Sequence, residues 1–147
     1  MVGNTGSSRR LKYGPHGNTV NVASRVQDAT KKLRIPLLVT GPTRKQLPPE
    51  FATRRLCLAR VEGIQGPVEL HELHGLQADA DWLRRRDEYE SALAVYESGH
   101  WGLACQKLVG QIELNGQGGT DLPTIKLVRK AWECLEGHEP LDPVIDL

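Results

Sequence analysis

The apolar residues of this 147-residue chain change their spacing near Gly75, and that change divides what the two halves can become. Before Gly75 the apolar runs are short and bounded by Gly, Pro and Asn. PLLVT, RRLCLARV and PVELHEL are each long enough for a strand and too short for a stable helix. After it, Tyr89, Ala92, Leu93 and Tyr96 recur at helical spacing, as do Ala104, Leu108 and Ile112, and then Ile125, Val128, Trp132 and Leu135. Amphipathic helices are predicted over residues 82–97, 101–115 and 121–136, with Gly99 and NGQGGT between them and Asp121 capping the last. Short connections of this kind make neighbouring helices antiparallel. Charge changes at the same place: residues 1–75 carry 12 Lys/Arg against 5 Asp/Glu (+7), and residues 76–147 carry 7 against 13 (−6). The expected organisation is an α+β unit over 1–75, a linker near 75–81 and a helical unit to residue 147. A basic half of this kind suits a phosphate-bearing ligand or an acidic docking partner.

Within the first half, residues 1–13 read as a hairpin: a strand end at Met1–Val2, a GNTGSS turn and RRLKY returning. Asn18 or Thr19 caps a helix that runs to about Arg34 and is stopped by Pro36. A short strand, a brief GPTRKQL helix and a second hairpin joined by EGIQG complete the unit. In the helix, Val22, Val26, Ala29 and Leu33 form the stripe to be buried. Asn21, Arg25, Asp28 and Lys32 repeat that spacing one residue earlier, so an amide and a guanidinium stand one turn apart at the margin of the core. Two readings fit. The pair offers donors suited to a ribose oxygen and a phosphate, or Arg25 pairs with Asp28 while Asn21 supports the helix start.

The stretch RRLKYGPH followed by GNTVNVASR closely resembles the class III adenylate and guanylate cyclase catalytic domain. PLLVTGPTRKQL resembles the strand and short helix that follow in that family, and RVEGIQGPVELHEL its closing hairpin, so the resemblance covers roughly residues 1–74. It implies a partial ferredoxin-like cyclase sheet with helices. It also implies that Asn21 orients the ribose of a bound nucleoside triphosphate and that Arg25 stabilises charge developing on the phosphates as the 3′ hydroxyl attacks the α-phosphate. Gly14, Gly17 and Asn18 belong to the implied nucleotide-binding stretch. Family members work as dimers, which implies a homodimer or a cyclase-domain partner.

The chain departs from the family pattern in three places. Gly14 stands where a polar residue commonly contacts the base, which leaves nucleobase choice open. Glu62 and Ile64 stand where many members carry lysines near the phosphates. The family also holds two divalent ions, Mg²⁺ or Mn²⁺, on two strand aspartates, whereas residues 1–75 contain a single aspartate, Asp28, on the helix. The expectation is therefore the C-terminal part of a cyclase, inactive alone and binding no metal by itself. The alternative is a non-catalytic interaction module on a degenerate cyclase scaffold.

Tyr96, Gly99, Trp101, Ala104 and Leu108 match the spacing of a tetratricopeptide repeat across its helix-turn-helix, which implies a helical hairpin with a capping helix and a possible protein partner. EPLDPVIDL, with two prolines, reads as a loosely docked strap. GNTGSS lacks the Gly-Lys-Ser/Thr of a phosphate-cradling loop. HELH at 71–74 is not a zinc motif and alternates across a strand. Arg84, Arg85 and Arg86 read as a solvated charged face among Asp87, Glu88 and Glu90. Basic residues are not interleaved with aromatics, so nucleic acid is not an expected partner. No run suits a membrane span or a leader, and three scattered cysteines suggest no disulfide framework. A cytoplasmic setting is expected.

Overall fold

Backbone pairing, helix capping and one band of ion pairs explain how the two halves come together. The fold was obtained as a computed structural model, which describes residues 2–5, 12–15, 18–114, 121–137 and 142–147. Val2–Thr5 (β1) and Lys12–Pro15 (β2) pair antiparallel, with Gly3 opposite Gly14. Gly3, Asn4 and Thr5 were expected in the turn, yet they continue the strand. A ladder satisfies backbone donors and acceptors whatever the side chain, and that outweighs the turn preference of Gly and Asn.

Helix α1 runs Asn18–Leu33. Val26, Ala29 and Leu33 are buried and Val22 packs against them, so the stripe set by the sequence is the one the fold buries. Arg34 takes a left-handed φ of 53°, and the Ile35 N–H reaches back 3.1 Å to the Thr30 carbonyl, closing the helix end before Pro36. Leu38–Thr40 (β3) leads into Gly41–Gln46 (α2), whose first turn is capped by the Thr40 side chain. Ala52–Arg60 (β4) and Val68–Gly75 (β5) form the long hairpin, with a register shift between Arg55 and Cys57. Leu56 and Cys57 are consequently both buried, where strict alternation would expose one of them. Burial pushes the Cys57 thiol up to about 12, so it packs as a small apolar residue.

Ala80–Glu97 (α3), Trp101–Leu114 (α4) and Leu122–Leu135 (α5) follow, with Gly99 at φ +83° in the tight turn between the first two. Asp79 and Asp121 cap α3 and α5 through side-chain oxygens. Ile145–Asp146 (β6) adds in parallel to β4, giving a mixed sheet of order β3-β5-β4-β6. Of the strap read at the C-terminus, Ile145–Asp146 form a sheet strand, and Val144 and Ile145 are buried. The architecture is α+β.

One helix face differs from the reading. On α5 the buried residues are Pro123, Thr124, Leu127, Ala131 and Cys134, while Trp132 and Leu135 are 57% and 49% exposed. Small side chains let α5 approach Ala104 and Leu108 of α4 closely, and a Trp in that seam would force the helices apart. Hydrophobicity alone favoured the bulky residues.

The sheet and the helices share one apolar cluster that runs from Val26 and Leu33 through Leu56 and Leu70 to Tyr89, Leu93, Ala104 and Leu127. Ion pairs reinforce the junction. Arg54 Nε lies 2.7 Å from Glu72, its terminal nitrogens lie 2.8 and 3.1 Å from Asp121, and its Cζ sits 4.8 Å from the Tyr89 ring centroid. Arg55 holds Glu97 with two bonds of 2.8 Å and Glu69 at 3.0 Å, while its backbone N–H donates to Glu90 at 2.7 Å. The Tyr89 hydroxyl donates to the Leu56 carbonyl at 2.7 Å, satisfying the strand at its irregularity. Part of the basic half therefore docks on acidic helices of its own chain.

Candidate functional site

Helix α1 sets its polar residues by simple periodicity, and tertiary contacts then treat them differently. Asn21 is exposed, and Arg25, one turn on, is half-buried. Asp28 is exposed and lies 3.6 Å from Lys31, a surface ion pair of little energetic weight. Asp28 thus turns to Lys31. Among the described residues no hydrogen bond or ion pair engages the Arg25 guanidinium, so the Arg25–Asp28 reading has no support in the geometry. Asn18 is the first residue of α1, Gly14 lies in β2 opposite Gly3, and Gly17 lies outside the described residues.

The Arg25 guanidinium rests against the turn between β4 and β5. A Cβ on Gly63 would stand 2.8 Å from Nε, 3.1 Å from Cζ and 3.2 Å from Nη2 of Arg25, closer than side-chain carbons normally approach. Beside it opens a cavity of about 330 Å³ bounded by Arg25, Asp28, Lys32, Val61, Glu62 and Leu147. Glu62, at a position where the resemblance led one to look for lysine, places a carboxylate on the cavity wall. Ile64, at the other, packs on the apolar cluster. Three cations, Arg25, Lys31 and Lys32, and two anions, Asp28 and Glu62, line the space. Its cationic excess suits phosphate oxygens set against Arg25.

The donor set does not fit the two-metal site that the resemblance implies. Asp28 and Glu62 are the carboxylates at this cavity, and among the described residues no group of three or more His, Cys, Asp or Glu could hold a metal ion. The metal-dependent part of cyclase chemistry is not built by these residues. HELH is occupied otherwise: His71 Nε2 lies 2.7 Å from Glu69, Glu72 holds Arg54, and His74 stacks on Trp82 at 4.3 Å between centroids. Arg84 pairs with Asp81 and Glu88, as a solvated face would.

Two further depressions are lined by described residues. One of about 540 Å³ lies between α1 and the outer edge of β3, lined by Val22, Val26, Leu37 and Val39. Another of about 750 Å³ lies between α3 and α4 beside Leu83, Asp87, Lys107 and Gln111. Neither carries a half-buried cation without a partner. Sequence reasoning missed Gly63 and Leu147 at the Arg25 cavity. EGIQG signalled a turn, but nothing local tells which helix side chain will lie on it.

Comparison with curated proteins finds similarity to Adenylate cyclase 1 of Rhizobium meliloti (strain 1021), at 32% identity over 76 residues, which is 52% of this chain and 11% of that protein. The chain therefore spans a small part of the length of the relative it matches. No family model matches the chain, and no solved structure matches it. Among the described residues no helix is long and apolar enough to cross a membrane.

Proposed function

We propose that this chain supplies the phosphate- and ribose-contacting helix of a cyclase-like nucleotide site, with the metal-holding carboxylates provided from outside its residues. The observation that carries the reading is the Arg25 guanidinium, half-buried, without a carboxylate partner among the described residues and facing a cavity. The similarity to an adenylate cyclase over half of the chain supports the same assignment. In this reading Arg25 donates to phosphate oxygens whose charge grows as the pyrophosphate leaves, and Asn21 orients the ribose. Gly14, Gly17 and Asn18 shape the nucleotide-binding turn, and Mg²⁺ or Mn²⁺ acts only in the completed site. The chain alone converts no nucleoside triphosphate to cyclic nucleotide. A homodimer or a cyclase-domain partner brings the two parts together, and the tetratricopeptide-like tail serves as a protein-contacting element.

The test is a chimaera in which residues 1–75 replace the matching stretch of an active cyclase. Turnover is expected to persist, and Arg25→Ala is expected to lower it about 10²-fold, as for loss of one preorganised donor to a transition-state oxyanion. Near-normal turnover in Arg25→Ala would remove the assignment. A second reading, a non-catalytic interaction module, draws on the exposed Trp132 and Leu135 of α5. It predicts a folded chimaera without turnover.

A further inference from the structure

We infer that Gly63 is the positioning residue for Arg25: its bare backbone forms the seat on which the guanidinium is held at the cavity mouth. The inference rests on the reading that Arg25 is the phosphate-contacting group, and deepens it.

The seat is fixed from both sides. Val61 is buried, Ile64 packs on the apolar cluster, and the Ile64 N–H donates to the Val61 carbonyl at 3.1 Å, so the turn that carries Gly63 is closed and anchored. Helix α1 is anchored opposite by Val26 and Ala29. What remains free to move is the Arg25 side chain. An unpaired arginine on a helix surface samples several rotamers, and ordering it costs entropy when a ligand arrives. Backbone contact at Gly63 limits that freedom beforehand, and among the described residues no partner takes up the donors a ligand would use. A methyl group at position 63 would collide with the guanidinium, because the Cβ would lie 2.8 Å from Nε.

The same turn contains its own control. Gly63 has φ +80° and Gly66 has φ +76°, so alanine at either position is forced into the same left-handed φ region. Only at Gly63 does the new carbon meet Arg25, since nothing lies within 4 Å of a Cβ at Gly66. The difference between the two substitutions isolates the seat.

The experiment compares the full chain, Gly63→Ala and Gly66→Ala by two readouts. The first is the Arg25 Nε–Hε correlation in NMR spectra, assigned by its disappearance in Arg25→Lys. The second is titration with inorganic tripolyphosphate. Gly63→Ala is expected to displace the correlation and to weaken tripolyphosphate binding about tenfold, the scale of one charge-assisted hydrogen bond. Gly66→Ala is expected to leave both unchanged. Equal effects from the two alanines, or none from either, would overturn the seat. A wild-type chain that binds no tripolyphosphate would instead count against the phosphate role of Arg25, while a correlation displaced by Gly63→Ala alone would still support the seat. Should Gly63→Ala fail to fold, the double variant Gly63→Ala/Arg25→Ala decides. Folding like Gly66→Ala supports a collision with Arg25, and failure again overturns it.

Discussion

Arg54 and Arg25 carry the same chemical group in the same molecule, and their surroundings differ in every respect that matters. The Arg54 side chain is 11% exposed, meets two carboxylates and lies over the Tyr89 ring. Arg25 is half-buried, has no carboxylate partner among the described residues, and touches the backbone of a glycine. The first arrangement satisfies the guanidinium and joins β4 to α5. The second positions a guanidinium whose donors meet no hydrogen-bond partner among the described residues. The lesson is that a buried cation reads as structural when its donors are spent inside the protein, and as a ligand group when they are not.

Substitutions should separate the two sites accordingly. Arg54→Ala leaves Glu72 and Asp121 partly buried without their partner, and urea unfolding should show a loss of about 3–5 kcal/mol. A loss below 1 kcal/mol, about the scale of an exposed ion pair, would mean that Arg54 does not join the halves. Tyr89→Phe strands the Leu56 carbonyl where α3 covers the strand, and should cost about 1–3 kcal/mol in the same measurement. Burial raises the Asp121 carboxyl, but the hydrogen bond and charge of Arg54, with help from Thr124, hold it below its usual 3.8. Its contribution is therefore present above pH 3.8 and is lost as the pH falls below that through the folded-state value. Urea midpoints followed on the acid side should drop less steeply in Arg54→Ala than in the wild-type chain; parallel curves would contradict the coupling. The smallest effect is expected at the other site: Arg25→Ala should move unfolding by no more than about 0.5 kcal/mol, because among the described residues it leaves no partner unpaired.

What could be read from the sequence follows from the range of the interactions involved. The α1 stripe of Val22, Val26, Ala29 and Leu33 was legible because one helix face sets it. The Tyr89, Ala92, Leu93 and Tyr96 face of α3 was legible for the same reason. The inner face of α5 was not: Thr124, Ala131 and Cys134 win it through close approach to α4, and hydrophobicity ranks them below Trp132. The charge asymmetry was visible, but its meaning was not, because Arg54 and Asp121 lie 67 positions apart. At the candidate site, spacing brought Asn21 and Arg25 to one side of the helix and left Asp28 as a competing partner for Arg25. The Lys31–Asp28 pair and the approach of Gly63 depend on side-chain directions and on a turn from another part of the chain.

The parallel addition of β6 has a practical corollary. Arg60 pairs with Asp142 and Asp146, the Leu147 N–H donates to the Arg60 carbonyl at 2.9 Å, and Leu147 stands in the wall beside Arg25. Anything joined after Leu147, whether further polypeptide or a purification handle, emerges on the doorstep of that guanidinium. A histidine tag fused there would contribute its own groups to a phosphate titration, and the protein would be credited with an affinity partly owed to the tag.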